Sequence, residues 1–82
     1  MKYLITGGCG FIGSHLAETL TSYGEDVSVI DDLSTGSLEN VKNIYCNKKF
    51  HLFIDTILNC ALLEELIKQS DFVVHLAAVV GV

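Results

Sequence analysis

The sequence contains no arginine, and its five lysines face ten acidic residues, which gives a net charge of −5. A nucleic-acid-binding domain normally carries a basic stripe or patch. No such stripe occurs along this chain, so we expect no nucleic-acid partner.

Long apolar runs are also missing. No stretch reaches the roughly 18 apolar residues that a membrane-spanning helix needs. Lys2 leads directly into a strand-like segment, without the apolar core and small-residue cleavage site of a signal peptide. We therefore expect a soluble, cytoplasmic protein with no membrane partner.

Cysteine is scarce, with three residues at wide spacing: Cys9, Cys46 and Cys60. An odd number without C-x-x-C pairs excludes a disulfide framework and argues against a zinc site. Cys9, beside a glycine-rich stretch, is a conceivable nucleophile, but no histidine or carboxylate lies near it in sequence. We interpret the thiols as space-filling side chains in a reducing compartment, and we expect no metal.

Four apolar segments are predicted to be strands, and helical patterns separate them. The strands are Lys2–Thr6, Val27–Ile30, Phe50–Ile54 and Phe72–Leu76. Continuous apolar runs indicate strands that are buried on both faces, as in a parallel sheet. Alternating strands and helices predict an α/β fold, a Rossmann-type doubly wound parallel sheet that is incomplete, with about four strands.

Two helices and one helical turn are predicted between these strands. The first begins at Phe11, has Ile12, Leu16 and Leu20 on its apolar face with Ala17 beside them, and ends near Gly24. A single turn is predicted over Leu38–Val41. The third segment is capped by Asn59 and presents an apolar face made of Leu63, Leu66 and Ile67.

Three glycines, Gly7, Gly10 and Gly13, follow the first strand and open the first helix. This is the setting of a dinucleotide-binding loop: the first glycine allows a sharp turn, the second lets a pyrophosphate approach the backbone, and the third lets the helix pack closely. The spacing is G-x-x-G-x-x-G. A P-loop is excluded, because no Gly-Lys-Ser/Thr follows.

Asp31 ends the second strand, 18 residues after Gly13. An acidic residue about 20 positions after the glycines accepts hydrogen bonds from the adenosine ribose in dinucleotide-binding folds. A turn aspartate is the alternative, and the glycine loop favours the ribose role. A carboxylate there repels a 2′-phosphate, and no arginine is present to receive one, so NAD is expected as cofactor rather than NADP.

Three motifs in order, "TGGCGFIGSHL", "DDLSTG" and "DFVVHLAA", resemble the start of the extended short-chain dehydrogenase/reductase family. These enzymes are NAD-dependent nucleotide-sugar epimerases, dehydratases and decarboxylases. The resemblance runs over nearly the whole chain, and the ending "HLAAVVGV" is most similar to UDP-glucuronate decarboxylases and UDP-sugar 4-epimerases.

The resemblance implies a set of NAD-binding residues. Phe11 and Ile12 are expected to present backbone to the pyrophosphate, and Asp55 to reach the adenine amino group. Thr56 departs from the family pattern, which usually has an apolar residue against the ring. The residues expected to wrap the adenosine end are Asp31, Asp32, Leu33, Ser34, Thr35 and Gly36; those expected along the phosphates and nicotinamide ribose are Leu76, Ala77, Ala78, Val79 and Val80.

The family's chemistry depends on a Tyr-x-x-x-Lys pair, in which the tyrosinate acts as base and the lysine lowers the tyrosine pKa. Tyr45 and Lys49 have this spacing, but they lie between the second and third predicted strands, where a helix is not expected. We therefore predict no catalytic residue in this chain. His75, in an apolar strand, is interpreted as a core histidine.

The leading hypothesis is that residues 1–82 form the N-terminal part of an NAD-binding domain, without the catalytic and substrate-binding regions. A nucleotide sugar would then bind only together with the C-terminal part. The alternatives are a stand-alone NAD-binding or regulatory module without turnover, and a protein–protein module that binds no cofactor. The unfinished sheet predicts self-association through its exposed edge.

Overall fold

A computed structural model describes residues 1–77 and contains one four-stranded parallel sheet. Its strand order is β3-β2-β1-β4. The strands are β1 (Lys2–Thr6), β2 (Asp26–Asp31), β3 (Phe50–Ile54) and β4 (Phe72–His75); the helices are α1 (Phe11–Ser22) and α2 (Cys60–Gln69), with a 3₁₀ helix at Leu38–Val41. This is the predicted α/β architecture, a Rossmann-like sheet present in part.

The two faces of the sheet carry separate apolar clusters. On one face, Ile5 and Val29 pack with Ala17 of α1 and with Val41 of the 3₁₀ helix. On the other, Leu4 and Ile30 pack against Leu66 of α2. Helices therefore cover both faces, and burial of each large aliphatic side chain contributes roughly 1.5–3 kcal/mol.

Helix α1 contacts the sheet most closely through small residues, and Leu16 and Leu20 of its predicted apolar face pack beside them. Gly13 and Ala17 are buried, Leu16 and Leu20 are half-buried, and Ile12 is 70% exposed. A Cβ on Gly13 would lie 2.6 Å from the Gly7 carbonyl oxygen, so the first turn sits directly on the loop before it. Small residues set the distance between helix and sheet, and the placement of Ile12 on the apolar face is wrong, because its side chain is exposed.

Helix α2 begins as predicted, because the Asn59 side-chain oxygen accepts a hydrogen bond from the Leu62 backbone N–H at 3.3 Å. Its buried contact is Leu66, with Leu63 half-buried beside it. Ile67, predicted on the same face, is 44% exposed. It lies one position after Leu66, which turns it about 100° away from the sheet.

Strand β4 is short and exposed, whereas the sequence predicted burial on both faces. It ends at His75, and Phe72 and Val73 are 48% and 45% exposed. Strand β1 pairs with one of its edges, and within residues 1–77 no strand pairs with the other. One aromatic contact shields its start, with the Phe72 and Tyr3 rings stacked at 5.1 Å between centroids.

Candidate functional site

A cleft of about 320 Å³ opens at the carboxyl ends of the strands. This edge of an open parallel sheet is where ligands bind, at the point where the strand order reverses. The cleft is lined by Gly7, Gly10, Ile30, Asp31, Asp32, Ser34, Thr35, Asp55, Thr56, Ile57, Leu58, Leu76 and Ala77. Its volume lies at the lower end of the range for small-molecule sites.

The glycine loop forms one wall of the cleft. Gly7 has a φ of +74°, and a Cβ there would lie 2.8 Å from the Ala77 backbone nitrogen. Its N–H donates to the Ile30 carbonyl at 2.9 Å, and its own carbonyl accepts from the Gly10 N–H at 3.1 Å. The loop is thus a tight turn, closely packed against the segment that leaves β4.

Helix α1 starts from this loop without a capping side chain. Gly10 is the N-cap residue, with no side-chain hydrogen bond, and no acidic residue lies in the first turn. The first backbone N–H groups of a helix have no intrahelical partner and carry the positive end of its dipole. This helix end can therefore accept an anionic group such as a phosphate.

The Asp31 side chain hydrogen-bonds to both the glycine loop and the loop that follows β2. Its carboxylate is buried, and one oxygen accepts from the Cys9 N–H at 2.8 Å while the other accepts from the Leu33 N–H at 2.7 Å. Each carboxylate oxygen has about two acceptor sites, so both keep capacity for a ligand hydroxyl. Leu33 has a φ of +64°, which its hydrogen bond to Asp31 and its packing on the core hold in place.

The loop after Asp31 follows the cleft edge. The Asp32 carboxylate accepts from the Ser34 N–H at 2.9 Å, and hydrogen bonds from Ser34 lower the pKa of Asp32. Ser34 and Thr35 line the cleft, but Gly36 lies behind it, where a Cβ would be 2.8 Å from the Cys9 carbonyl carbon. Gly36 thus allows two backbone segments to touch.

The far wall follows β3. The Asp55 carboxylate accepts from the Thr56 N–H at 2.7 Å and from the Asn59 side-chain amide at 2.9 Å. Ile57 and Leu58 add apolar surface that the sequence reasoning missed, as it missed Ile30. The available signal was position: residues directly after a parallel strand lie at the same edge of the sheet.

Thr6 anchors the segment that leaves β4. Its hydroxyl oxygen accepts from the Leu76 and Ala77 N–H groups at 3.0 and 3.2 Å, and it lies 2.7 Å from Nδ1 of His75. A hydroxyl has two acceptor sites and one proton, so the Thr6 hydroxyl donates to Nδ1. His75 is exposed, which corrects its interpretation as a core histidine.

Of the residues expected to bind NAD, ten line the cleft together: Gly7, Gly10, Asp31, Asp32, Ser34, Thr35, Asp55, Thr56, Leu76 and Ala77. Five others do not line it, namely Phe11, Ile12, Gly13, Leu33 and Gly36. The side chains of Phe11 and Ile12 are exposed. The role expected for these two residues, contact of their backbone with the pyrophosphate, does not depend on their side chains. Ala78, Val79 and Val80 lie outside the described residues.

The structure also bears on the other candidate chemistry. Burial and the Asp31 charge raise the pKa of Cys9 to about 11, so its thiol stays protonated and is a poor nucleophile at neutral pH. Tyr45 and Lys49 lie in turns rather than on a helix, so this pair lacks the geometry that the family's chemistry requires.

Among residues 1–77, no metal-binding group of His, Cys, Asp and Glu side chains occurs. In the same range, no helix is long and apolar enough to cross a membrane.

Comparison with known proteins gives consistent matches. Residues 4–82 match the family model for GDP-mannose 4,6 dehydratase. A UDP-N-acetyl-alpha-D-glucosaminuronate decarboxylase of Bacillus cytotoxicus is 42% identical over 81 residues, which cover 99% of this chain and 25% of that protein.

Two solved structures that contain NAD have the same fold. One is a dTDP-glucose 4,6-dehydratase of Bacillus anthracis, with a TM-score of 0.85 and 37% identity over 96% of this chain and 27% of that one. The other is the enzyme WbmH of Bordetella bronchiseptica, with a TM-score of 0.87 and 41% identity over 95% of this chain and 26% of that one. The chain thus spans about a quarter of the length of these three relatives.

Proposed function

This chain belongs to the family of NAD-dependent nucleotide-sugar epimerases, dehydratases and decarboxylases, and from that premise we propose that it forms the NAD-binding part of such an enzyme. The observation that carries the proposal is the cleft, where the glycine loop, the uncapped start of α1 and the Asp31 carboxylate meet. These are the groups that a dinucleotide requires: an anion site and a ribose acceptor.

Separate groups of residues in the cleft fit the pyrophosphate, the adenosine ribose and the adenine ring of NAD. The start of α1, at Phe11 and Ile12, would hold the pyrophosphate through backbone N–H groups, whereas the Gly10 N–H is already bonded to the Gly7 carbonyl. Asp31 would accept hydrogen bonds from the adenosine ribose, using the acceptor capacity that Cys9 and Leu33 leave free.

The adenine ring would lie along the wall formed by Asp55, Thr56, Ile57 and Leu58. In this arrangement the apolar contact expected against the ring comes from Ile57 and Leu58, which follow the unusual Thr56. Leu76 and Ala77 would face the rest of the cofactor, and the resemblance extends this contact to Ala78, Val79 and Val80.

The whole enzyme would oxidise and re-reduce a UDP- or dTDP-sugar, with bound NAD supplying the hydride acceptor. In this proposal the present chain contributes binding and orientation of the cofactor. The tyrosine–lysine pair and the sugar pocket would belong to the C-terminal region of the enzyme, because Tyr45 and Lys49 do not lie on a helix.

The choice of NAD over NADP tests the proposal. Isothermal titration calorimetry should show that the protein binds NAD at least about tenfold more tightly than NADP, because a 2′-phosphate beside Asp31 places like charges together. In Asp31→Asn the preference should shrink to a few-fold. The ratio of the two affinities in one sample is independent of the folded fraction, which matters because Asp31 also holds Cys9 and Leu33.

Asp26→Asn, at the other end of β2, is the matched control and should keep the wild-type ratio. No measurable NAD binding by the wild-type protein would exclude the proposed function and favour a protein–protein module. An unchanged NAD/NADP ratio in Asp31→Asn would exclude the assigned ribose role. NAD binding without turnover, even beside a C-terminal part, would favour the stand-alone module.

A further inference from the structure

The Cys9 peptide in the glycine loop is held from two sides. Its N–H donates to Asp31 at 2.8 Å, while its carbonyl accepts two hydrogen bonds, from the Ser37 N–H at 3.0 Å and from the Asn40 side-chain amide at 2.9 Å. Asp31 and Asn40 are the two side chains within residues 1–77 that hydrogen-bond to the Cys9 peptide. Only Asp31 also lines the cleft.

The direction of the Cys9 carbonyl matters for the loop. Because a trans peptide is planar, its C=O and the next N–H point in opposite directions. Fixing the Cys9 carbonyl therefore fixes the Gly10 N–H, which donates to Gly7 at 3.1 Å. Gly10 is in turn the N-cap of α1, so the orientation of this peptide is passed on to the first turn of the helix.

Asn40 is placed for this contact by its neighbours. It lies in the 3₁₀ helix, which Val41 anchors in the core with no exposed surface. The turn is capped by Ser37, whose hydroxyl accepts from the Glu39 N–H at 3.2 Å and whose carbonyl accepts from the Asn40 N–H at 3.1 Å. Gly36 lets this segment approach, since a Cβ there would lie 2.9 Å from the Cys9 carbonyl oxygen.

We propose that Asn40 is a positioning residue for the dinucleotide: by holding the Cys9 carbonyl, it fixes the glycine loop in its phosphate-binding arrangement before the ligand arrives. The inference rests on the proposed function, since it concerns the same site. Asn40 would not contact the cofactor. It would lower the cost of ordering the loop on binding, which is the usual gain from preorganisation.

The structure makes this role separable from general stability. Asn40 is an exposed residue, and the Ser37 N–H still reaches the Cys9 carbonyl when the Asn40 amide is removed. A substitution should therefore loosen the loop without unfolding the domain. Asn47 supplies a matched control, because it is also exposed and its side chain bonds only to a local N–H, that of Lys49, at 2.9 Å.

The test is a ¹H–¹⁵N NMR titration of the wild-type protein and its variants with NAD and with adenosine, which lacks the pyrophosphate. Asn40→Ala should weaken NAD binding about fivefold, the effect of one hydrogen bond, and should leave adenosine binding within about twofold. Asn40→Asp should weaken NAD binding further, because a carboxylate oxygen would face the Cys9 carbonyl oxygen. In the ligand-free protein, both variants should shift the Gly10 and Phe11 amide signals.

Asn47→Ala should change none of these quantities. NAD affinity that is unchanged in both Asn40 variants would overturn the inference. So would equal weakening of NAD and adenosine, which is the signature of a general structural defect. A wild-type protein that binds neither ligand would instead refute the proposed function, so the two failures are distinguishable.

Discussion

Replacing Gly7 by alanine should destabilise the protein much more than the same change at Gly24. Both glycines have positive φ, +74° and +80°. An alanine in this left-handed region costs about 1–2 kcal/mol, and the stiffer unfolded chain returns about 0.4–1 kcal/mol. Gly24→Ala should therefore lower the free energy of unfolding by roughly 1 kcal/mol.

Gly7 carries an additional steric cost. A Cβ at Gly24 has no atom within 4 Å, whereas a Cβ at Gly7 would lie 2.8 Å from the Ala77 nitrogen and 3.0 Å from the Leu76 carbonyl carbon. These are backbone atoms, and their segment is tied to Thr6 by hydrogen bonds of 3.0 and 3.2 Å, so it has little freedom to yield. Overpacking of this kind costs typically about 1–3 kcal/mol.

Urea unfolding followed by circular dichroism measures the difference between the two variants. We expect Gly7→Ala to be less stable than Gly24→Ala by about 1–3 kcal/mol, with similar dependence on urea concentration. Equal stability of the two variants would refute the reasoning. It would mean that the Leu76–Ala77 backbone can move away without loss, so that the close approach at Gly7 is not a packing constraint.

Three further predictions follow from other contacts. Thr6→Val should lower the free energy of unfolding in urea by about 1–3 kcal/mol, because the Ala77 N–H loses its acceptor. Thr6→Ser keeps the hydroxyl and should remain near wild-type stability. Equal destabilisation by the two substitutions would contradict this role of the hydroxyl. Iodoacetamide at pH 8 should label Cys46 and Cys60 much faster than Cys9, because Cys9 is buried and its pKa is raised to about 11. Mass spectrometry that shows equal labelling rates for all three cysteines would contradict the burial of Cys9. Sedimentation velocity should show that the protein self-associates through the exposed edge of β4, and Val73→Lys should reduce this self-association. A wild-type monomer with a sharp thermal transition would contradict an interface at the β4 edge.

Element types followed from local patterns in the sequence. The limits of β1 and of the 3₁₀ helix match the predicted ones, because a glycine pair ends the first and Ser37 caps the second. Strand β4 ends one residue earlier than predicted. The Leu76 N–H still donates to the Thr6 backbone carbonyl at 3.0 Å, and it also donates to the Thr6 hydroxyl at 3.0 Å, a contact with a residue 70 positions away.

The helix faces were harder to predict, because apolar spacing does not reveal the distance between a helix and the sheet. Ile12 and Ile67 fit the helical period, yet both are exposed. For α1 the decisive residues are the small ones, Gly13 and Ala17. The helical period correctly selected Leu16, Ala17 and Leu20, but it also selected Ile12 and did not indicate the close contact at Gly13.

Within the candidate site, the sequence indicated which residues gather at the cleft but not how they support one another. Asp31 was predicted as a ribose acceptor from its position at the end of β2. Its hydrogen bond to Cys9 joins residues 22 positions apart, and the Asn40 contact joins residues 31 apart. Contacts of this range leave no periodic signal, so only the folded geometry reveals them.

The pairing of β1 with β4 also has a kinetic consequence. Strands β1, β2 and β3 pair through connections of moderate length, but closing β1 onto β4 brings together residues 70 positions apart. Such a closure is slow on entropic grounds, so β4 should dock after the other three strands have formed. The wall made by Leu76 and Ala77 then appears only in the last step. A ligand of the cleft should therefore slow unfolding and leave the folding rate unchanged, because it finds no complete site in the transition state.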